Sequence, residues 1–87
     1  MSIQRDIPIP IYHQIRSWMS EQIASGQWPS HFKLKPEPEL ARDLGVNRGT
    51  LRKAIAELIS AGDLIAIHGR GTFVTPRKTI DQSLTES

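Results

Sequence analysis

Residues 45–54 of this 87-residue chain read GVNRGTLRKA, a tight turn followed directly by the start of a basic helix. Asn47 is predicted to be the N-cap of that helix, because its side chain can accept a hydrogen bond from a free N–H group of the first turn. We expect the helix to run from Arg48 to about Ala61, with Gly62 as its stop. Its apolar positions recur at helical spacing and share one face: Leu51, Ala54, Ile55 and Leu58.

A shorter helix is predicted immediately upstream, from Glu37 to Leu44. Gly45 is placed to end it in the left-handed conformation that glycine tolerates, and Val46 is expected to be buried in the turn that follows. The apolar face of this helix consists of Leu40, Ala41 and Leu44. Two short helices joined by so tight a turn are typical of a helix-turn-helix, in which the first helix supports the second.

The segment before this pair predicts a longer amphipathic helix. Pro10 suits its first turn, because the missing N–H has no helical partner there, and Gly26 ends it. In the connector over residues 27–36, Trp28 and Phe32 are expected to fold back onto this first helix. The predicted core positions of the helix are Ile11, Ile15, Trp18, Met19 and Ile23.

After Gly62 the period of the pattern changes from that of a helix to that of a strand. Residues 64–67 and 72–75 are short runs of strand-forming residues on either side of a glycine-bracketed tip, His68-Gly69-Arg70-Gly71. This arrangement predicts a β-hairpin. The predicted fold class is therefore α+β, mainly α with a small β-hairpin: a winged helix-turn-helix with three helices and a two-stranded wing.

Composition excludes several classes of protein. The chain has no cysteine, so neither a disulfide nor a thiolate metal site is predicted. No apolar run approaches the ~20 residues that span a membrane, and the first residues lack the pattern of a signal peptide, so we expect a cytoplasmic protein. Between Val46 and Lys78, six basic residues stand against two acidic ones, whereas the rest of the chain has five basic and seven acidic. The basic half favours contact with a polyanion, with solvated surface charge as the alternative.

The start of the second helix of a helix-turn-helix lies against base edges in the DNA major groove. An arginine fork can pair the two acceptors of guanine, whereas the point charge of lysine suits a phosphate. A glycine allows close approach of the backbone, and a threonine can contact a phosphate or a thymine methyl group. The residues predicted to bind DNA from this helix are Arg48, Gly49, Thr50, Arg52 and Lys53.

The tip of the hairpin offers a second DNA contact. Arg70 is a long cation on a slim support, suited to the negative potential of a narrow minor groove. His68 has two interpretations, a surface strand residue or a phosphate contact. The histidines of the chain lack ligand spacing, so neither a metal nor a cofactor is predicted. The sequence has no defensible nucleophile–base pair, carboxylate pair or phosphate loop, and we expect no enzymatic activity.

Three stretches together resemble the N-terminal domain of the GntR family of bacterial transcription regulators: IPIYHQI at residues 9–15, GVNRGTLRKA at 45–54 and GRGTFV at 69–74. The resemblance covers roughly residues 9–76, and the last two motifs are specific in this order and spacing. It implies recognition-helix contacts by Arg48, Gly49, Thr50 and Arg52. It likewise implies wing contacts by His68, Gly69 and Arg70.

The chain departs from the family pattern where the second helix opens. The usual run resembles Leu-Pro-Ser-Glu-Arg-Glu, whereas this chain has LKPEPE. Pro36 replaces the capping serine, and Pro38 replaces an arginine that commonly contacts DNA, for which Lys35 or Lys33 is placed to substitute. His31 stands where the family has a glycine, which predicts a strained backbone at that residue.

These patterns predict a flexible lead over residues 1–8, a DNA-binding winged helix-turn-helix over 9–76 and a linker over 77–87. The last segment resembles the linker that leads into the HutC-type ligand domain, which implies a homodimer and a small-molecule effector bound by an absent C-terminal domain. A naturally short protein is the alternative.

The predicted function is sequence-specific binding of double-stranded DNA at a palindromic operator by a transcriptional regulator, which the resemblance indicates to be a repressor, with no membrane partner. The rival interpretation is a winged helix that contacts proteins and shows no salt-dependent affinity for DNA.

Overall fold

The computed structural model describes residues 3–76, in which three helices precede a two-stranded antiparallel sheet. The predicted winged helix-turn-helix is confirmed, with every predicted element in its predicted order. Three bounds differ by one residue. Ala61 is the C-cap of the third helix, and the second strand runs over 71–74 rather than 72–75, because its pairing extends from Gly71 opposite Ile67 to Val74 opposite Leu64. The elements are α1 (Ile11–Ser25), α2 (Glu37–Leu44), α3 (Arg48–Ser60), β1 (Leu64–Ile67) and β2 (Gly71–Val74).

The bounds of α1 follow from local chemistry. Pro10 occupies the N-cap with φ −56° and ψ 145°, a position that asks for no backbone N–H. Gly26 ends the helix with φ 87°, and its N–H donates to the carbonyl of Ile23. Ile15 and Met19 are fully buried, so this helix supplies one wall of the core.

The turn between α2 and α3 is held by two different caps. Gly45 has φ 72° and donates its N–H to the last turn of α2. Asn47 is the N-cap of α3, and its Oδ1 accepts from the N–H of Thr50 at 2.8 Å. Val46 is half-buried rather than buried, because it packs against the edge of the core in a turn whose neighbouring residues, Gly45 and Asn47, are exposed. This turn fixes the angle at which α3 leaves α2.

The two-stranded wing also pairs with a third extended segment, which the sequence did not predict. The connector before α2 pairs with β2: Leu34 donates to Thr72, Val74 donates to Phe32, and His31 donates to Val74. These N–O distances are between 2.8 and 3.1 Å. The hairpin is therefore anchored on its β2 side to the segment that leads into the helix-turn-helix.

The predicted strain at His31 is confirmed. Its φ is 71°, in the left-handed region, and among the described residues it is the only one with positive φ that is not glycine. The residue lies between Trp28 and Phe32, two members of the aromatic cluster at which the connector folds back onto α1. There, Trp28 makes an edge contact with Trp18 at 5.5 Å and stacks on Phe32 at 5.4 Å.

One hydrophobic core joins all five elements. Its buried members come from α1, α2, α3, the connector and both strands, and Tyr12, Trp18 and Val46 pack at its edge. At the surface, Arg16 of α1 lies 2.9 Å from the carboxylate of Glu57 on α3. The core thus fixes α3 between α1 and α2, with one long face of the helix left to solvent.

The described part of the lead, residues 3–8, forms neither helix nor strand, yet it has specific partners. Gln14 exchanges two hydrogen bonds with the backbone of Gln4, at 2.7 and 2.8 Å. Arg5 donates to the carbonyl of Gly45 at 2.7 Å. The predicted linker, residues 77–87, lies outside the described residues. Within those described, no helix combines the length and apolar character needed to cross a membrane.

Candidate nucleic-acid interface

The first two turns of α3 present cations on the face opposite the core. Arg48, Arg52 and Lys53 are exposed, whereas Leu51 and Ala54 of the same turns are fully buried. The structure therefore brings the predicted recognition residues together on one surface. Thr50 lies at its edge, half-buried, with its backbone N–H bonded to the Asn47 cap.

This placement of charge opposes the helix dipole. The first turn of α3 contains no acidic residue, and Asn47 is a neutral cap. Cations at the positive end of a helix cost a few tenths of a kcal/mol each, and a bound anion removes that cost. The surface is therefore suited to receive negative charge.

Gly49 lies on this surface without a backbone reason for being glycine. Its φ is not in the left-handed region, and a helical glycine costs roughly 0.5–1 kcal/mol relative to alanine. A Cβ built there would meet only Asn47 Oδ1, at 3.4 Å. The fold would tolerate a small side chain, so the absence of one fits close approach of another molecule.

Arg52 has a partner that sequence reasoning missed. Its Nε lies 3.2 Å from Oε1 of Glu37, the first residue of α2. The side chain of Arg52 is still 66% exposed, so the guanidinium remains accessible to a ligand. The position of Glu37 at the start of the supporting helix was the available signal, because in a helix-turn-helix that end approaches the start of the second helix.

Lys53 is held by an aromatic ring. Its Nζ lies 4.2 Å from the centroid of Tyr12, in the first turn of α1. No sequence pattern predicts this contact, since Tyr12 and Lys53 belong to different helices.

The wing tip is a three-residue loop, and Arg70 donates its N–H to Ile67 at 2.9 Å to close it. Gly69 has φ 77°, so its backbone conformation alone accounts for a glycine. His68 and Arg70 are both exposed. The tip therefore presents two side chains that can contact a ligand.

A cleft of about 340 Å³ lies between the wing and the helix-turn-helix. Arg70 lines it from the wing, Lys33 and Lys35 from the connector, and Glu37 from α2. Because Glu37 is paired with Arg52, the cleft connects the wing cation to the recognition helix. His68 and Gly69 do not line it.

Lys35 is engaged within the chain. Its Nζ donates to Asp43 at 2.6 Å and lies 4.0 Å from Glu39. The hydrogen bond to Asp43, with the charge of that carboxylate, raises the pKa of Lys35 above its ordinary value. The DNA contact predicted for Lys35 stays a prediction, and it would require Lys35 to give up its contacts with Asp43 and Glu39. Over residues 3–76, no cluster of histidine and carboxylate side chains is arranged to hold a metal ion.

Comparisons with known proteins agree on one family. Residues 11–74 match the family described as bacterial regulatory proteins, gntR family. The chain is 40% identical over 73 residues to a histidine utilization repressor of Pseudomonas aeruginosa, covering 84% of this chain and 29% of that protein. It is 39% identical over 84 residues to the HTH-type transcriptional repressor NagR of Bacillus subtilis, covering 97% and 34%.

A solved structure shares the fold. The crystal structure of AraR(DBD) in complex with operator ORE1 superposes with a TM-score of 0.75 at 36% identity, covering 85% of this chain and 90% of that one. The present chain spans about a third of the length of the two curated relatives. Fold, motifs and family match coincide over the same residues, and the chain belongs to the GntR family of bacterial regulatory proteins.

Proposed function

We propose that this chain is the DNA-reading part of a transcriptional repressor and binds double-stranded DNA sequence-specifically. The observation that carries the proposal is the exposed basic start of α3, which the Arg52–Glu37 ion pair links to the cleft that the wing cation Arg70 lines. The repressor names of the relatives and the operator complex of AraR(DBD) support the same function.

The recognition helix supplies the sequence-specific contacts. Arg48 and Arg52 offer guanidinium forks at the start of α3, where base edges of the major groove are within reach. The carboxylate of Glu37 restricts the orientation of Arg52 before DNA arrives. Thr50 and Lys53 contact phosphates beside the groove, and Gly49 lets the backbone of the helix come close to the duplex.

The wing adds a contact outside the major groove. Arg70 enters or borders the adjacent minor groove, where a narrow groove concentrates negative potential. His68 and Gly69 follow the sugar–phosphate backbone at the same tip. Because the connector is bonded to β2, the wing is fixed relative to α2 and contributes a preformed surface.

The full-length protein is proposed to be a homodimer with an effector-binding domain. The chain spans about a third of the length of its curated relatives, and a protein of their length has room for a second domain. Two recognition helices related by a two-fold axis read a palindromic operator, and a small-molecule effector would act through the other domain.

The test starts from the duplex that the chain selects out of a randomised pool. Arg48→Ala and Arg52→Ala are each expected to weaken binding to that duplex by ~1–3 kcal/mol and to affect a scrambled duplex less. Arg42→Ala, an exposed cation in the last turn of α2, is the matched control. Equal losses on both duplexes would make the arginine a phosphate contact. An absence of salt-dependent affinity for any duplex would leave the protein-contact function instead.

A further inference from the structure

The contact between Lys53 and Tyr12 differs in kind from the ion pairs that other cations of the fold make. Among the described residues, the ion pairs of Arg16, Lys35 and Arg52 all go to carboxylates. Lys53 instead has its ammonium 4.2 Å from the centre of an aromatic ring. A ring attracts a cation through its quadrupole and carries no net charge.

This difference matters for an anionic ligand. A carboxylate partner neutralises the cation it holds and repels a phosphate. The cation must therefore give up part of its contact with the carboxylate when DNA binds. A ring restricts the ammonium and leaves its full charge available. Tyr12 therefore orders Lys53 without opposing the ligand.

The surroundings make the position of the ammonium specific. Tyr12 is half-buried and packs against the core, so its ring is a fixed platform. A long helical side chain points back over the preceding turn, and the residue four positions before Lys53 is Gly49, which has no side chain to obstruct it. The lysine therefore loses part of its rotamer freedom before binding rather than during it.

We propose that Tyr12 is a positioning residue for DNA binding: its ring holds the Lys53 ammonium ready for a backbone phosphate and so brings α1 into the interface. This inference rests on the proposed function, in particular on a phosphate contact by Lys53. Tyr12 itself need not contact the duplex.

The experiment measures the affinity and salt slope of ring and lysine variants on the selected duplex. Lys53→Met is expected to weaken binding and to lower the salt slope by about one unit, because a phosphate contact is lost. Tyr12→Phe keeps the ring and should match the wild type. Tyr12→Leu should weaken binding roughly threefold with an unchanged salt slope, since Lys53 still reaches the phosphate but is no longer held.

A second series keeps the shape of the side chain and so protects the test from a folding defect. Phenylalanine analogues with increasing fluorination at position 12 weaken the ring quadrupole stepwise, and affinity should fall with each step. In the Lys53→Met background the same series should be flat. No loss with Lys53→Met would overturn the phosphate contact and the inference together. A loss with Lys53→Met but a flat fluorine series in the wild-type background would overturn the positioning role alone.

Discussion

His31 holds a backbone conformation that costs free energy. A non-glycine residue in the left-handed region is destabilised by roughly 1–2 kcal/mol, and the φ of His31 is 71°. Its N–H is bonded to Val74, so the wing and connector enforce this conformation. The residue thus stores strain that the family glycine would avoid.

His31→Gly is expected to raise the free energy of unfolding by ~1 kcal/mol, after allowance for the greater unfolded-state entropy of glycine. Urea denaturation followed by circular dichroism measures the change. His31→Ala is the control, because it removes the imidazole and keeps the unfavourable φ. Equal stability of the glycine and alanine variants would mean that the conformation of this residue carries no strain.

The two helices of the helix-turn-helix begin with unequal caps. At α3, Asn47 accepts from the N–H of Thr50, whereas Pro36 at α2 offers no side-chain acceptor. We expect Asn47→Ala to lower the free energy of unfolding by ~1 kcal/mol and Pro36→Ser to raise it by ~0.5 kcal/mol. Denaturation midpoints of the two variants test the opposite signs. A loss with Pro36→Ser would show that the rigidity of the proline outweighs the missing cap.

The wing has either a structural or a DNA-binding role, and Arg70 distinguishes them. Its side chain is exposed at a tip closed by backbone hydrogen bonds, so Arg70→Ala should leave the melting temperature nearly unchanged. If the tip reaches DNA, the variant binds more weakly and its salt slope is smaller by about one unit. A preference for A·T-rich flanks should fade with a minor-groove contact. His68→Ala, measured alongside, separates the two interpretations of that histidine.

The helices and the hairpin could be predicted from the sequence because their signals are local. Pro10, Gly26, Gly45 and Asn47 mark helix ends by their own backbone preferences, and apolar spacing marks the buried face. The pairing of the connector with β2 could not be predicted in the same way. Its residues, HFKL at positions 31–34, alternate polar and apolar, but the run is short and its hydrogen-bond partners lie far along the chain, beyond both helices of the helix-turn-helix.

At the scale of the whole molecule, too, features with local signals could be predicted, whereas contacts between distant residues could not. Helical spacing predicted the buried face of α3, and the cations of the helix lie exposed outside that face. Their partners, Glu37 and Tyr12, come from two other helices and depend on how the core packs α1 and α2 against α3. Packing therefore determines which cations are already ordered before DNA binds, and the sequence alone does not show it.

The oligomeric state that we expect for this chain depends on how much apolar surface the core leaves exposed. Among the described residues, the large exposed hydrophobic side chains are spread over the lead, the connector, α3 and β1, and none is more than 46% exposed. A stable dimer interface buries roughly 800 Å² on each partner, usually around a well-packed apolar centre. We therefore expect residues 1–87 to be monomeric at micromolar concentration without DNA.

On a palindromic duplex, two copies should bind, each on its own half-site, with weaker affinity than a preformed dimer because each copy pays its own association cost. Sedimentation velocity, with and without the duplex, measures both stoichiometries, and a duplex carrying a single half-site is the control for one copy. A tight dimer in the absence of DNA would contradict the expectation. It would also imply that the scattered apolar side chains combine into an interface, and that the two recognition helices are spaced before the operator is met.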